Sequence, residues 1–358
     1  MLHLRFSQRA LRFNFPARTS RGSLAEHVAW YLHLSSAEAP EVVGLGEAAP
    51  LAGLSPDFGP TFPAAVASLC ARVNAAGYAQ LTLADVPVLV GAEWPALRFA
   101  LETAVLDWTA GGRHQLYANA FSLGQAPLPI NGLVWMGDAA FMREQINQKL
   151  AAGYSCLKLK IGGLDFATEL ALLAEIRAVA GPERLVLRVD ANGAFAPADA
   201  PGKLTQLAQF ALHSIEQPIA AGQSAQLRTL CQSSLVPIAL DEELIGITDP
   251  AGQAALLDSI APAYIVLKPT LLGGHAATRQ WIALARERGI GWWMTSALES
   301  NVGLNAVAQL AGEYEVGDFA QGLGTGQLYL NNVAAPLHVA GGELRYKPTG
   351  TWEQPDNL

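Results

Sequence analysis

Cys156-Leu157-Lys158-Leu159-Lys160-Ile161 is an apolar run of strand character that carries two lysines two residues apart. Residues i and i+2 of a strand share a face, so both ammonium groups point to one side. Working outward, the runs 185–190, 211–216, 236–241 and 264–268 have the same build and close on Asp190, Glu216, Asp241 and Lys268. From Lys160 onward the separations are 30, 26, 25 and 27 residues, close to the roughly 30 residues of one βα unit. Helix-length segments such as 169–176 and 276–288 lie between the runs. Further runs at 130–135, 290–295 and 319–322 bring the total to eight. This rhythm predicts an α/β fold with a (β/α)8, TIM-like barrel. A doubly wound open sheet is the competing arrangement, but no G-x-G-x-x-G follows the first predicted strand.

The flanks read differently. Residues 1–50 have the alternation of a strand meander, with a loop at 18–23 and a second at 44–51 that closes it. Residues 60–111 have helical spacing, stopped by Gly111-Gly112. The tail, 328–346, alternates around Gly341-Gly342 and predicts a hairpin returning to the N-terminal layer.

Composition narrows the function classes. The 358 residues are 51% hydrophobic and 15% charged, enough for a sizeable core. Their formal charge of −8, without basic runs, argues against a nucleic-acid partner. No apolar run reaches the ~20 residues of a membrane span. Met1-Leu2-His3-Leu4-Arg5-Phe6 is broken by charge too early for a signal peptide, and the three cysteines lack C-x-x-C spacing, so a cytoplasmic protein is expected.

The charges at the strand ends carry the chemistry. One such charge is often a solvated loop start, but five in phase on consecutive strands are hard to obtain that way. The C-terminal mouth of a barrel is where active sites of this fold sit. Asp190, Glu216 and Asp241 brought together would repel unless a cation neutralised them. Three oxygen donors without His or Cys favour Mg²⁺, with Mn²⁺ possible, over zinc. Lys268, four strands further round, faces Lys158 and Lys160 across that centre. Lysine becomes a base only when its pKa falls, and a second ammonium or a metal lowers it. The set suits removal of a proton beside a carboxylate, with an enediolate held by the metal. The expected partner is a small-molecule carboxylate substrate. A non-catalytic metal-binding scaffold would need no base.

Lys158-Leu159-Lys160, Asp190-Ala191-Asn192, Glu216-Gln217-Pro218, Asp241-Glu242-Glu243 and Lys268-Pro269 together resemble the muconate lactonizing enzyme subgroup of the enolase superfamily, for which Lys bases with Mg²⁺ are a known pairing. Within it, the runs 129–137, 268–274 and 296–304 are most similar to the o-succinylbenzoate synthase family of menaquinone biosynthesis. The resemblance implies an α+β capping domain at 1–124, the catalytic barrel at 125–325, and a segment at 326–358 returning to the cap. It implies a hydro-lyase catalysing syn dehydration of 2-succinyl-6-hydroxy-2,4-cyclohexadiene-1-carboxylate. Asp190, Glu216 and Asp241 would hold the metal, and Lys160 would be both base and acid. Lys158 would tune Lys160 and bond the carboxylate, while Lys268 would stabilise the enediolate. N-succinylamino acid racemases, epimerases and cycloisomerases share the enolate step. The racemases typically have Arg where this chain has Leu271, and the dipeptide epimerases have Asp-x-Asp where it reads 321–326 without an acid. Substrate contacts are expected from Asn192, Ser296 and Ser300, and from Thr19 and Arg21 in a closing loop. Glu299 is a candidate support for Lys268. Trp292-Trp293 is expected to be barrel packing.

Overall fold

The computed structural model describes residues 1–19 and 22–355. The first layer is an antiparallel sheet of β1 (Leu2–Thr19), β2 (Gly22–Ser36) and β3 (Gly44–Ala48), in that order. The predicted loop at 44–51 is therefore half strand. Its glycines serve close approach, not turning. A Cβ at Gly46 would lie 1.9 Å from the Ala100 carbonyl oxygen, and one at Gly44 would lie 2.2 Å from that of Ala104. The helix Pro95–Thr109 can thus press directly on the strand. The loop at 18–23 is also shorter than expected, because Thr19 still pairs with Gly22. The predicted helical stretch resolves into Phe62–Ala76, Val86–Leu89 and Pro95–Thr109.

After the short β4 (Leu128–Pro129) the chain enters the barrel. Its strands are β5 (Gly132–Val134), β6 (Cys156–Lys160), β7 (Val186–Asp190), β8 (Ser214–Glu216), β9 (Ile238–Leu240), β10 (Tyr264–Leu267) and β11 (Gly291–Met294). They pair in parallel and in sequence order. The predicted eighth run closes the ring through single bridges: Gly322 pairs with Thr295 and Gln321 with Ile130. The fold is a TIM-like barrel with a capping domain. Its main core lies between strands and outer helices, and includes Leu157, Leu159, Leu187 and Val189.

The barrel interior below the mouth is filled by Ala239, Val266 and Trp293. The buried guanidinium of Arg188 lies 4.3 Å from the Trp293 ring centre and 4.6 Å from that of Phe319. Trp293 is barrel packing, as expected, and this layer plugs the end opposite the mouth.

The tail corrects one expectation. Its hairpin, β12 (Leu337–Ala340) and β13 (Glu343–Tyr346), pairs with β4 and not with the N-terminal layer. Leu344 and Tyr346 are drawn into the main barrel core, which offers more apolar surface than the cap. The segments on either side of the hairpin do reach the cap. Leu330 N donates to the Arg12 carbonyl at 2.8 Å, and Arg9 pairs with Glu353 at 2.6 Å. Among the described residues, no helix is long and apolar enough to cross a membrane.

Candidate active site

Alternation along β6 sends Leu157 and Leu159 outward into the core and Lys158 and Lys160 into the barrel. There Lys158 Nζ donates to Glu216 at 2.6 Å and lies 3.2 Å from Asp190 Oδ2. Lys160 Nζ donates to Asp190 at 2.6 Å and to Asn192 Oδ1 at 2.9 Å. From the sixth strand position, Lys268 Nζ donates to Asp241 at 2.5 Å. Lys158, Lys160 and Lys268 line one pocket of about 670 Å³.

The three carboxylates meet against these lysines. Oxygens of Asp190, Glu216 and Asp241 lie within 4.8 Å of one another, all three residues buried. Glu216 Oε1 is buried without a hydrogen-bond partner. An orphaned carboxylate oxygen at the centre of an all-oxygen donor set fits a divalent metal ion.

Burial opposes charge on every lysine here, and the neighbours decide the outcome. Lys158 is held above its ordinary value because Glu216 and Asp190 outweigh desolvation. Lys268 is likewise raised, by Asp241 and Glu242. Lys160 is lowered, by burial first, with the ammoniums of Lys158 and Lys268 adding to it. Asp190 is depressed: Lys160 and Lys158 overcome its burial. Glu216 is raised to about 8 by burial, with Asp190 and Asp241 adding to it.

Several supports carry no sequence signal of their own. Glu169 Oε1 accepts from the backbone N–H groups of Gly162, Gly163 and Leu164 at 2.7, 3.0 and 3.0 Å, fixing the turn after Lys160. Gln217 Oε1 accepts from Asp241 N at 3.2 Å and Glu243 N at 3.3 Å, tying two ligand-bearing strand ends together. Asn131 and Thr325 line the pocket, and each has a buried side-chain oxygen without a partner. Leu51 and Leu54 bring the cap to the pocket wall.

Among the expected substrate contacts, Ser296 lines the pocket, while its hydroxyl donates to Glu299 at 2.6 Å. Asn192 is engaged with Lys160 and, through Nδ2, with Glu242 at 3.0 Å. Ser300 is engaged elsewhere in this structure. It is fully buried, caps the helix Asn301–Ala311, and its hydroxyl donates to Glu47 at 2.6 Å. Thr19 ends β1 at the hairpin tip; Phe15, nearby on that strand, packs 5.8 Å from the ring of Trp135, a pocket residue. Arg21 lies outside the described residues. Leu271 lines a separate cleft with Pro56, Pro95 and Leu244.

Barrel, cap and acid–lysine mouth define a class. Residues 141–347 match the family described as enolase C-terminal domain-like, and the chain belongs to it. The o-succinylbenzoate synthase of Desulfotalea psychrophila is 47% identical, over 96% of this chain and 98% of its own. That of Mycobacterium leprae is 30% identical over 79% and 82%. The crystal structure of MenC from Desulfotalea psychrophila superposes with a TM-score of 0.84 at 44% identity, covering 96% of this chain and 99% of that one. The muconate lactonizing enzyme of Pseudomonas fluorescens, at 22% identity and a TM-score of 0.77 over 96% and 93%, shares the fold.

Proposed function

We propose that this chain is an o-succinylbenzoate synthase, a hydro-lyase that dehydrates 2-succinyl-6-hydroxy-2,4-cyclohexadiene-1-carboxylate. The observation that carries the reading is the placement of lysines on opposite walls of one pocket, each bonded to a member of a cluster of three converging carboxylates. Relatives of that name match nearly the whole chain.

Asp190, Glu216 and Asp241 would hold Mg²⁺, which supplies charge stabilisation for the substrate carboxylate as its α-proton leaves. Lys160 Nζ takes that proton and returns one to the departing hydroxyl on the same face. Its contacts to Asp190 and Asn192 hold Nζ in place, and burial with the neighbouring ammoniums favours the neutral amine that the first proton transfer needs. Lys158 holds the carboxylate end and keeps positive charge beside Lys160. Lys268 stays charged on the far wall and offsets the negative charge that proton loss leaves on the substrate. Leu51, Leu54 and Trp135 exclude water around the ring, while Thr325 Oγ1 can donate to a substrate oxygen and Asn131 Oδ1 can accept from the substrate hydroxyl.

The test is direct assay of the purified protein with this substrate and Mg²⁺, following formation of the aromatic product. No aromatic product under conditions where the protein is folded and metal-bound would refute the reading. The lysine on each wall also favours a second reading, racemisation of N-succinylamino acids, since that reaction needs one proton carrier per face.

A further inference from the structure

The segment from Thr295 to Leu298 forms one wall of the pocket. One buried carboxylate bonds it directly, and a second bonds the start of the helix that follows it. Glu299 Oε2 accepts from Ser296 Oγ at 2.6 Å and Ala297 N at 2.8 Å, while Oε1 accepts from the hydroxyl of Thr270, two residues past Lys268. The second carboxylate comes from the cap. Glu47, on β3, accepts from Ser300 N at 2.7 Å, Ser300 Oγ at 2.6 Å and Gly303 N at 2.7 Å. It thereby supplies an acceptor to the open N–H groups that begin the helix Asn301–Ala311.

The packing at this junction leaves little slack. A Cβ at Gly303 would lie 2.6 Å from Glu299 Cβ and 3.1 Å from Glu47 Oε2, so glycine is what lets both acids converge. Leu298 takes the left-handed conformation at φ 69°, and its carbonyl accepts from the Tyr329 hydroxyl at 2.5 Å. Its N–H donates to Ser296 Oγ at 2.9 Å. A strained turn of this kind persists only where its surroundings determine it. Among the described residues, the side-chain hydrogen bonds of Glu47 all go to Ser300 and Gly303.

We infer that Glu47 is a positioning residue, the group through which the docked cap sets the Thr295–Leu298 wall and hence substrate binding. The inference deepens the proposed function and rests on it for its kinetic readout. A Glu47→Leu enzyme loses the acceptor for all three donors, and the wall loosens. KM for the cyclohexadiene carboxylate should rise about tenfold or more, with kcat within about threefold of wild type. Glu47→Gln keeps an acceptor for only one of the two backbone donors, because Ser300 N and Gly303 N meet different carboxylate oxygens, so its KM should lie between those of wild type and Glu47→Leu. Should Glu47→Leu fail to fold, Ser300→Ala removes one of the three bonds and should raise KM by about threefold.

Amide hydrogen exchange in the metal-loaded protein reads the same claim without substrate. Exchange across 295–303 should accelerate in Glu47→Leu or Ser300→Ala, while 156–161 and 186–190 stay as protected as in wild type. An unchanged KM with only a lower melting temperature, a fall in kcat at constant KM, or unchanged exchange across 295–303 would each overturn the inference. A wild-type enzyme that forms no aromatic product would refute the synthase reading alone, and the exchange experiment would still decide the role of Glu47.

Discussion

Three ammonium groups and three carboxylates share the barrel mouth, and their contacts divide the lysines into different situations. Lys160 is shared between Asp190 and a neutral amide, whereas Lys268, among the described residues, bonds Asp241 at 2.5 Å. That difference supports Lys160 as the group that moves protons. Lys160→Ala should abolish dehydration and also stop exchange of the α-proton in a non-eliminating substrate analogue, followed by NMR in D₂O. Lys268→Ala should cut turnover severely, through lost charge stabilisation, while leaving some exchange on the Lys160 face. Exchange that survives only in the Lys160 variant would reverse the roles. Chelation should remove activity and added Mg²⁺ restore it; Asp241→Asn should weaken metal binding, read by calorimetry, with the circular dichroism spectrum unchanged. A loss of folded signal in Asp241→Asn would make that carboxylate structural. At this scale the charged residues were legible because a charge closing an apolar run is conspicuous. Asn131 and Thr325 were not singled out, since neutral amides and hydroxyls at strand ends look like any loop.

Elements are joined across the cap–barrel junction by a repeated device: a cap carboxylate accepting from the first N–H groups of a barrel helix. Glu47 does so for Asn301–Ala311. Glu102, on the helix Pro95–Thr109, does so for His275–Glu287, accepting from His275 N at 2.5 Å and Ala276 N at 3.2 Å. Burial raises both acids from 4.5 to about 7 against the pull of these hydrogen bonds. Glu299 adds to the rise at Glu47, while Arg98 and Arg279 oppose it at Glu102. The folded state therefore keeps protons that the unfolded chain has already released between about pH 4.5 and 7. The stabilisation these groups give is full below that window and is lost as pH rises through about 7. Relative to a Glu47→Gln/Glu102→Gln protein, wild-type stability should fall between pH 5 and 8, each carboxyl contributing at most about 1.4 kcal/mol for every pH unit crossed in that window. Urea midpoints across that range check it; parallel curves would show that neither carboxyl titrates there. None of this junction was visible in the sequence. Gly44 and Gly46 read as turn residues because local pattern does not show a helix pressing on a strand, and the tail hairpin went to the wrong layer because alternation does not name its partner.

Across the whole molecule, the barrel supplies the reacting groups and the cap supplies the apolar roof and the brace on one wall. The βα rhythm made the barrel readable because each strand repeats one spacing, whereas specificity arises from contacts between distant segments. Leu271 illustrates the limit. Its place where the racemases have Arg was read as favouring dehydration; it lines a cleft apart from the pocket, and the two walls of the pocket bear on the same choice. Racemisation requires the two walls to exchange roles, one lysine neutral while the other is charged, and then the reverse. The two walls are not equivalent here. Lys160 has Lys158 beside it on the same strand face and shares its contacts between Asp190 and a neutral amide, whereas Lys268 comes from the far wall and bonds Asp241. Syn dehydration uses that asymmetry, since one lysine carries both protons and the other need only remain charged. The kcat/KM for dehydration should therefore exceed that for racemisation of N-succinylamino acids by more than about tenfold, or ~1.4 kcal/mol in transition-state binding. Measuring both reactions with one enzyme preparation at one pH decides it. Racemisation within that factor would mean that Lys268 gives up its proton as readily as Lys160, and that the asymmetry of the two walls does not govern the outcome.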